Sequence, residues 1–177
     1  VRRLVGSEMC IRDSFIRTSS SQVIKVLKAF YLLALCLAVS FLNAYIPLEN
    51  IRVIDGDTVK GKVEGKQITI RLVEIDAPEM DQPFGLASKN FLIKLTSNEK
   101  ITYTSEGEDR YGRTLGKLFK NKENLNALMV KSGLAWVYER YAKNQNLYVY
   151  QEVAKSKNLG LWQSKKPIAP WVWRRKK

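Results

Sequence analysis

The chain of 177 residues contains no histidine. That absence excludes imidazole as a general acid or base, a Ser-His-Asp triad, and any zinc site built on imidazole. Cysteine is nearly as scarce. Its two copies, Cys10 and Cys36, both precede Tyr45, so a zinc site made of cysteines alone fails as well. The segment from Tyr45 onward has neither a disulfide nor a thiol nucleophile, and an oxidising compartment is tolerated without being required. The charge-free apolar run Ala29 to Leu42 is shorter than the roughly 20 residues of a comfortable membrane span. Acid is the minority charge: 30 Lys and Arg stand against 17 Asp and Glu, a net +13. A basic excess favours polyanions, but it does not choose between nucleic acid and an anionic membrane surface.

Composition divides the chain into four parts. Residues 1–22 are polar, show little periodicity and read as disordered. Within them, VRRLVGSEMCIRDS resembles a fragment that recurs at the ends of translated environmental assemblies, and it is expected to be an assembly artefact without structure or function. Residues 23–44 join a positive flank, Lys25 and Lys28, to the apolar run and to the small residues Ala38, Ser40 and Ala44. That is the pattern of a cleavable signal peptide, with an uncleaved N-terminal anchor as the alternative. Cys36 invites a lipoprotein reading, but Leu35 before it is too bulky for the usual lipidation signal. The expected location is secreted or periplasmic, or membrane-anchored if the leader is retained. Residues 45–164 form the folded domain, and 165–177 a basic tail containing Pro167, Pro170, Trp171 and Trp173, expected to be extended.

Within the domain, Ile51–Ile54 and Thr58–Val63 are short β-prone runs joined through Asp55-Gly56-Asp57. Gly65 and Lys66 then turn the chain into Gln67–Val73, where Ile68, Ile70 and Leu72 alternate with Gln67, Thr69 and Arg71. Arg71 is therefore expected on the face away from the core. After Pro78 the period becomes helical, with Phe84, Ala87, Phe91 and Leu95 as the expected buried stripe. Further strands are expected at Lys100–Ser105 and Thr114–Phe119. Asn124 is placed to cap a helix over Leu125–Ser132 that Gly133 stops in a left-handed conformation. Leu134–Tyr138 reads as a short strand, and a last helix is expected from about Asn146 to Lys157. The fold class is α+β, mainly β: a five-stranded OB-type barrel with about three helices, preceded by the leader.

Asp55, Asp57, Asp76 and Glu79 lie within one supersecondary unit of otherwise apolar and β-branched residues. Ionised carboxylates resist leaving water unless something compensates them, and a hard cation such as calcium or magnesium, which prefers oxygen ligands, would do so. Each piece alone has a plainer reading. D-G-D-T at 55–58 can be a hairpin turn, D-A-P-E at 76–79 a strand end with a helix-capping acid, and D-R-Y-G-R at 109–113 a solvated turn shaped by Gly112. Their combination favours chemistry, because arginine forks suit phosphate and stay charged.

The motifs I-D-G-D-T, R-L-x-x-I-D-A-P-E and D-R-Y-G-R, in this order, resemble the thermonuclease (staphylococcal nuclease) family. NLNALMVKSGLA at 124–135 and the closing G-L-W at 160–162 also match. The resemblance covers roughly Ile51 to Trp162. It implies an OB-type barrel and a calcium-dependent nuclease acting on DNA and RNA. Asp57, Asp76 and the main-chain carbonyl of Ala77 would be Ca²⁺ ligands, with Asp55 behind them holding water at the ion. Glu79 would be the general base or the residue that orders the attacking water. Arg71 and Arg113 would bind phosphate, and Arg110, Tyr111 and Tyr141 would contact the substrate. Two departures bear on substrate handling. The segment MDQPFG after Glu79 is short where the best-known member carries a flexible lysine-rich loop, and one of two tyrosines expected at the base-stacking wall is not matched.

The expected function is thus a secreted, calcium-dependent endonuclease that leaves 3′-phosphate ends. DNA and RNA are its substrates, it needs no obligate protein partner, and it is expected to be a monomer. The rival from another class is a non-catalytic OB-fold nucleic-acid-binding module, which would not need the acids. A membrane-surface or cell-wall protein would explain the leader and tail alone. Trp162, Trp171 and Trp173, interleaved with basic residues, could stack bases, but such residues more often pack a C-terminal segment onto its own domain. Arg174–Lys177 is expected to be exposed and to add sequence-blind affinity.

Overall fold

The computed structural model describes residues 24–31 and 45–176. It separates into two units, residues 1–43 and 44–177. Of the first, residues 24–31 form an exposed helix. Among the described residues no helix is long and apolar enough to cross a membrane. The readings of residues 1–22 and of most of the leader lie outside the described residues.

The second unit is built on a closed barrel. Its strands are β1 (Ile46–Val53), β2 (Thr58–Val63), β3 (Lys66–Leu72), β5 (Ile101–Glu108) and β6 (Thr114–Lys120), with β4 (Ile75–Asp76) between β3 and the first helix. Antiparallel pairing runs β3-β2-β1-β5-β6, and a parallel pairing of β3 with β6 closes the circle, so no long edge is left open. Closure sets Ile70 beside Thr114, Arg71 beside Leu115 and Leu72 beside Gly116. Gly116 is required at that seam because a Cβ there would stand 2.6 Å from the carbonyl oxygen of Thr104. The expected alternation holds on β3, where Ile70 and Leu72 are fully buried and Arg71 is not. β1 begins earlier than its apolar pattern suggests. Its first half, interrupted by Pro47 and a left-handed Asn50, pairs with β5, and an irregularity between Glu49 and Arg52 passes the strand on to β2.

Three helices pack on the barrel: α1 (Gly85–Thr96), α2 (Leu125–Lys131) and α3 (Asn146–Ser156). The stripe expected on α1 is displaced. Its buried residues are Gly85, Ser88, Leu92 and Thr96, while Ala87 is exposed. Small residues win because the helix runs close to backbone: Ser88 donates from Oγ to the carbonyl of Leu134 (2.6 Å), and Thr96 to its own helix at Leu92 (2.9 Å). No acid caps this helix either. It starts from a left-handed Phe84.

Helix α2 begins as expected, with Asn124 Oδ1 accepting the amide of Ala127. Next to the cap, buried Asn126 holds the seam, accepting from Leu118 N–H (3.1 Å) and donating to Val73 O (3.0 Å) and Gly116 O (3.3 Å). Gly133, at φ 65°, stops the helix in the left-handed region. It also meets Gly160, φ 52°: a Cβ on either would lie 2.2 Å from the other segment's backbone oxygen, and Leu161 N–H donates to Gly133 O at 2.8 Å. The two glycine motifs are thus one contact, which only residues without a Cβ can make.

The tail is not extended. Ala169 is extended, and Pro170–Trp173 then forms a helical turn, α4, followed by a 3-10 turn Arg174–Lys176. Proline at the first helical position costs nothing, because that amide has no helical acceptor. The remaining strands are short: β7 (Glu123–Asn124) pairs with β6, and β8 (Trp136–Val137) with β4.

Candidate active site

The acids sit where the chain leaves the barrel. The β1–β2 connection carries Asp55 and Asp57, and β4 with the turn after it carries Asp76 and Glu79. The D-G-D turn is shaped by its own acid: Asp55 Oδ1 accepts the amide of Asp57 at 3.0 Å. Gly56 is pressed against the second acidic segment, since a Cβ would come 2.6 Å from Cβ of Ala77 and 2.1 Å from Oγ of Ser88. The contact is completed by Asp57, whose Oδ2 accepts Ala77 N–H at 2.6 Å. Both plain readings of these turns are therefore correct in part, but the turns also bring the carboxylates together.

Asp57 and Asp76 are buried, at 6% and 1% exposure. Arg71 spans them, with Nε 3.2 Å from Asp57 Oδ1 and Nη2 2.9 Å from Asp76 Oδ1, and its Nη1 donates to the carbonyls of Leu72 and Ile75. Of its five N–H donors, this leaves one Nη2 hydrogen for a phosphoryl oxygen. A second guanidinium reaches the same acids from the far end of the chain. Arg174 places Nη2 2.7 Å from Asp76 Oδ2 and Nη1 2.6 Å from Glu79 Oε1. Arg174 is exposed as expected, but it is not free: its guanidinium is engaged in the acidic site with Asp76 and Glu79.

Even so, Asp57 remains undercompensated. Burial pushes its pKa up to about 7, with Asp55 and Asp76 adding to the rise against the pull of Arg71 and the Ala77 amide. A buried carboxylate in this state favours a further positive charge. Among the described residues no group of three acids converges as a ready metal cage. The donor set is two buried carboxylates with the Ala77 main chain beside them, and a guanidinium already stands on Asp76 as a cationic stand-in. These all-oxygen donors fit a hard divalent cation.

Glu79 is held through its backbone. Its N–H donates to Gln82 Oε1 (3.1 Å) and its carbonyl accepts Gln82 N–H (2.9 Å). Gly85 packs against that carbonyl so closely that a Cβ would stand 1.9 Å from it. The carboxylate itself remains part-exposed and open to water, at 36%.

The other sequence-predicted residues form a second group on the β5–β6 hairpin. Asp109 organises it, accepting the amides of Tyr111 (2.9 Å) and Arg113 (3.0 Å) on Oδ1 and pairing with the Arg113 guanidinium at 2.7 Å on Oδ2. Burial opposes these donors, but they hold the Asp109 pKa below its ordinary value. Arg110 donates to Tyr111 Oη at 2.6 Å, and both arginines lie over the exposed Tyr111 ring at 4.8 and 5.6 Å. Arg113 directly precedes Thr114, the residue paired with Ile70 at the barrel seam, so this cationic hairpin adjoins the strand of Arg71.

Tyr141 stands on a third segment, edge-on to Tyr138 (centroids 5.0 Å), with Trp171 stacked on Tyr138 at 5.4 Å and 14°. Glu74, which carried no role in the sequence reading, anchors that segment. Its Oε1 accepts the amides of Lys143 and Asn144, both at 2.8 Å, and its Oε2 meets Lys117 Nζ at 2.9 Å. Sequence inspection read Asp109 only as part of the D-R-Y-G-R motif and Arg174 only as part of the basic tail. Asp109 could have been found as a turn acid four residues before an arginine; nothing local marks Glu74 or Arg174.

A family model described as staphylococcal nuclease homologue matches residues 69–164, more than half of the chain. The chain belongs to the staphylococcal nuclease family. Asp55 and Asp57 lie just upstream of the matched residues. Similar proteins include an "Uncharacterized endonuclease" of Escherichia coli O157:H7, 41% identical over 128 residues that cover 72% of this chain and 84% of that protein. A "Micrococcal nuclease" of Shigella flexneri is 38% identical over 138 residues, covering 72% and 79%. A staphylococcal-like nuclease of Arabidopsis thaliana is 37% identical over 116 residues, covering 66% of this chain and 36% of that one.

Proposed function

We propose that this chain, a phosphodiesterase of the staphylococcal nuclease family, is a calcium-dependent endonuclease that hydrolyses DNA and RNA and leaves 3′-phosphate ends. The observation that carries the reading is the pair of buried carboxylates, Asp57 and Asp76, bridged by Arg71 and lying beside a water-accessible Glu79. Asp57, Asp76 and the Ala77 carbonyl would hold the ion, with Asp55 ordering water beside it. When bound, the cation neutralises and polarises the scissile phosphate.

The chain's own residues do the rest. Glu79, fixed by Gln82 and Gly85, orients a water and accepts its proton as the hydroxyl oxygen bonds to phosphorus. The bond from phosphorus to the 5′-oxygen breaks, and that oxygen takes up a proton from solvent while Arg113 assists its departure. Arg71 donates its remaining hydrogen to a non-bridging oxygen, and Arg113 carries charge that grows in the transition state. Arg110 and Tyr111 extend the basic surface along the backbone, and Tyr141 offers a ring face to a base. The leader directs export, so the enzyme meets nucleic acid outside the cytoplasm as a monomer.

The test is hydrolysis of single-stranded DNA and of RNA by the purified protein with calcium and then with chelator, with end-group analysis of the products. Calcium-dependent cleavage to 3′-phosphates is expected. Saturable binding of nucleic acid without turnover would overturn the proposal in favour of a binding module.

A further inference from the structure

The tail that carries Arg174 is fastened to the site at several independent points. Gln82, the residue that holds the Glu79 backbone, donates from Nε2 to the carbonyl of Ile168 at 2.6 Å. Ala169 and Pro170 are buried. Trp171 lies flat on Tyr138 and edge-on to Trp136, the latter at 5.8 Å. Arg174 then closes on Asp76 and Glu79. Aromatic and cationic anchors are thus three residues apart on one helical turn, so they point the same way.

We propose that the segment Ala169–Lys176 is a built-in plug that competes with the divalent cation and with nucleic acid for this site. The proposal rests on the reading of Asp76 as an ion ligand and Glu79 as the residue that orients water. Arg174 places a positive charge on both oxygens of Asp76, one of them the oxygen Arg71 also uses, and ties up Glu79. With Arg174 in place, one oxygen of Glu79 and both oxygens of Asp76 face a guanidinium where water and an ion would otherwise bind. Trp171 meanwhile stacks on Tyr138, which is edge-on to Tyr141, so the tail packs beside the ring proposed to meet a base. Arg174 remains 43% exposed, so it can leave without unfolding the barrel. A divalent ion removes its electrostatic partners, and a phosphodiester offers the guanidinium a new one, so the two ligands together favour release.

Linkage sets the size of the effect. If the plugged form is favoured tenfold over the open one, the apparent calcium dissociation constant is raised about tenfold, and it falls by that factor when the plug is removed. Calcium binding by calorimetry on the full chain reads this without activity. Arg174→Ala is expected to bind calcium about tenfold more tightly than wild type, and Trp171→Ala to shift in the same direction. Lys176→Ala, which removes the same charge without touching the acids, is expected to change affinity less than twofold. The calcium concentration for half-maximal DNA cleavage should move in step, with turnover at saturating calcium at least as fast as wild type.

Equal or weaker calcium affinity in Arg174→Ala would overturn the plug, as would a shift equally large in Lys176→Ala. Unchanged affinity with lost turnover would instead make Arg174 a substrate-binding residue and also overturn it. Failure of the underlying reading shows separately, as wild-type protein that neither binds calcium nor cleaves nucleic acid with it.

Discussion

Asp57→Asn separates the energetic cost of the site from its chemistry. In the metal-free protein the Asp57 pKa rises from 3.8 to about 7 because the carboxylate is buried. Between these values the folded state holds a proton that the unfolded chain has released. The stabilisation is complete below pH 4 and is lost as pH rises through 7. Three pKa units correspond to on the order of 4 kcal/mol. Asparagine keeps the shape and can still accept the Ala77 amide, but it does not titrate. The difference in unfolding free energy between wild type and variant, measured by urea titration in chelator, should therefore change by about 4 kcal/mol from pH 4 to pH 8. The change favours the variant at the alkaline end. The pull of Arg71 on the ionised carboxylate is already contained in the value of about 7. Taking the difference cancels the carboxylates that do not interact with Asp57. A difference that does not vary with pH would refute the reasoning, because it would mean that Asp57 ionises in the fold as easily as in water. For calcium, which needs the ionised form, affinity in wild type should fall about tenfold per pH unit below pH 7.

Other substitutions test other parts of the site. Glu79→Gln should lower turnover on DNA by about 10²–10⁴-fold, as loss of a general base does, while DNA binding measured with calcium present stays within a few-fold. Gly85→Ala must displace the Glu79 carbonyl, so cleavage should drop by at least about tenfold with near-native circular dichroism; full activity would show that the Glu79 backbone is not held there. Glu74→Ala leaves the Lys143 and Asn144 amides without their acceptor and Lys117 with Glu106 alone, and should cost about 2 kcal/mol in urea unfolding at pH 7. Against the desolvation that raises it, contacts with Lys117 and with the Asn144 and Lys143 amides hold the Glu74 pKa below 4.5. Its contribution is therefore present above that pH and lost as pH falls through the lower folded value, so wild type and variant should converge in acid.

The barrel was legible because its code is local. Ile68, Ile70 and Leu72 alternate along β3, and Asp-Gly and Gly-Lys mark its turns, so strand positions followed from pattern and the barrel type from resemblance. Asn124 and Gly133 were legible for the same reason, each acting within a few residues of itself. The face of α1 was misread because burial there follows backbone proximity, which selects Gly85, Ser88 and Thr96 over the apolar Ala87. The acids at 55, 57, 76 and 79 stood out as charge in apolar company. Their cationic partners were half visible: Arg71 is nearby in sequence, whereas Arg174 lies 98 residues from Asp76. No period or spacing encodes a contact that long. Glu74 was hidden by its place inside a motif read for its neighbours, although its left-handed φ of 67° and its burial mark it as an anchor.

The account stands on two buried carboxylates acting as an ion site. Anomalous diffraction from crystals grown with calcium addresses that claim most directly. A peak 2.3–2.6 Å from oxygens of both Asp57 and Asp76, with Arg174 moved off Asp76, is the predicted result. Acids still bridged by Arg71 and Arg174, with no peak between them under calcium that supports cleavage in solution, would contradict it.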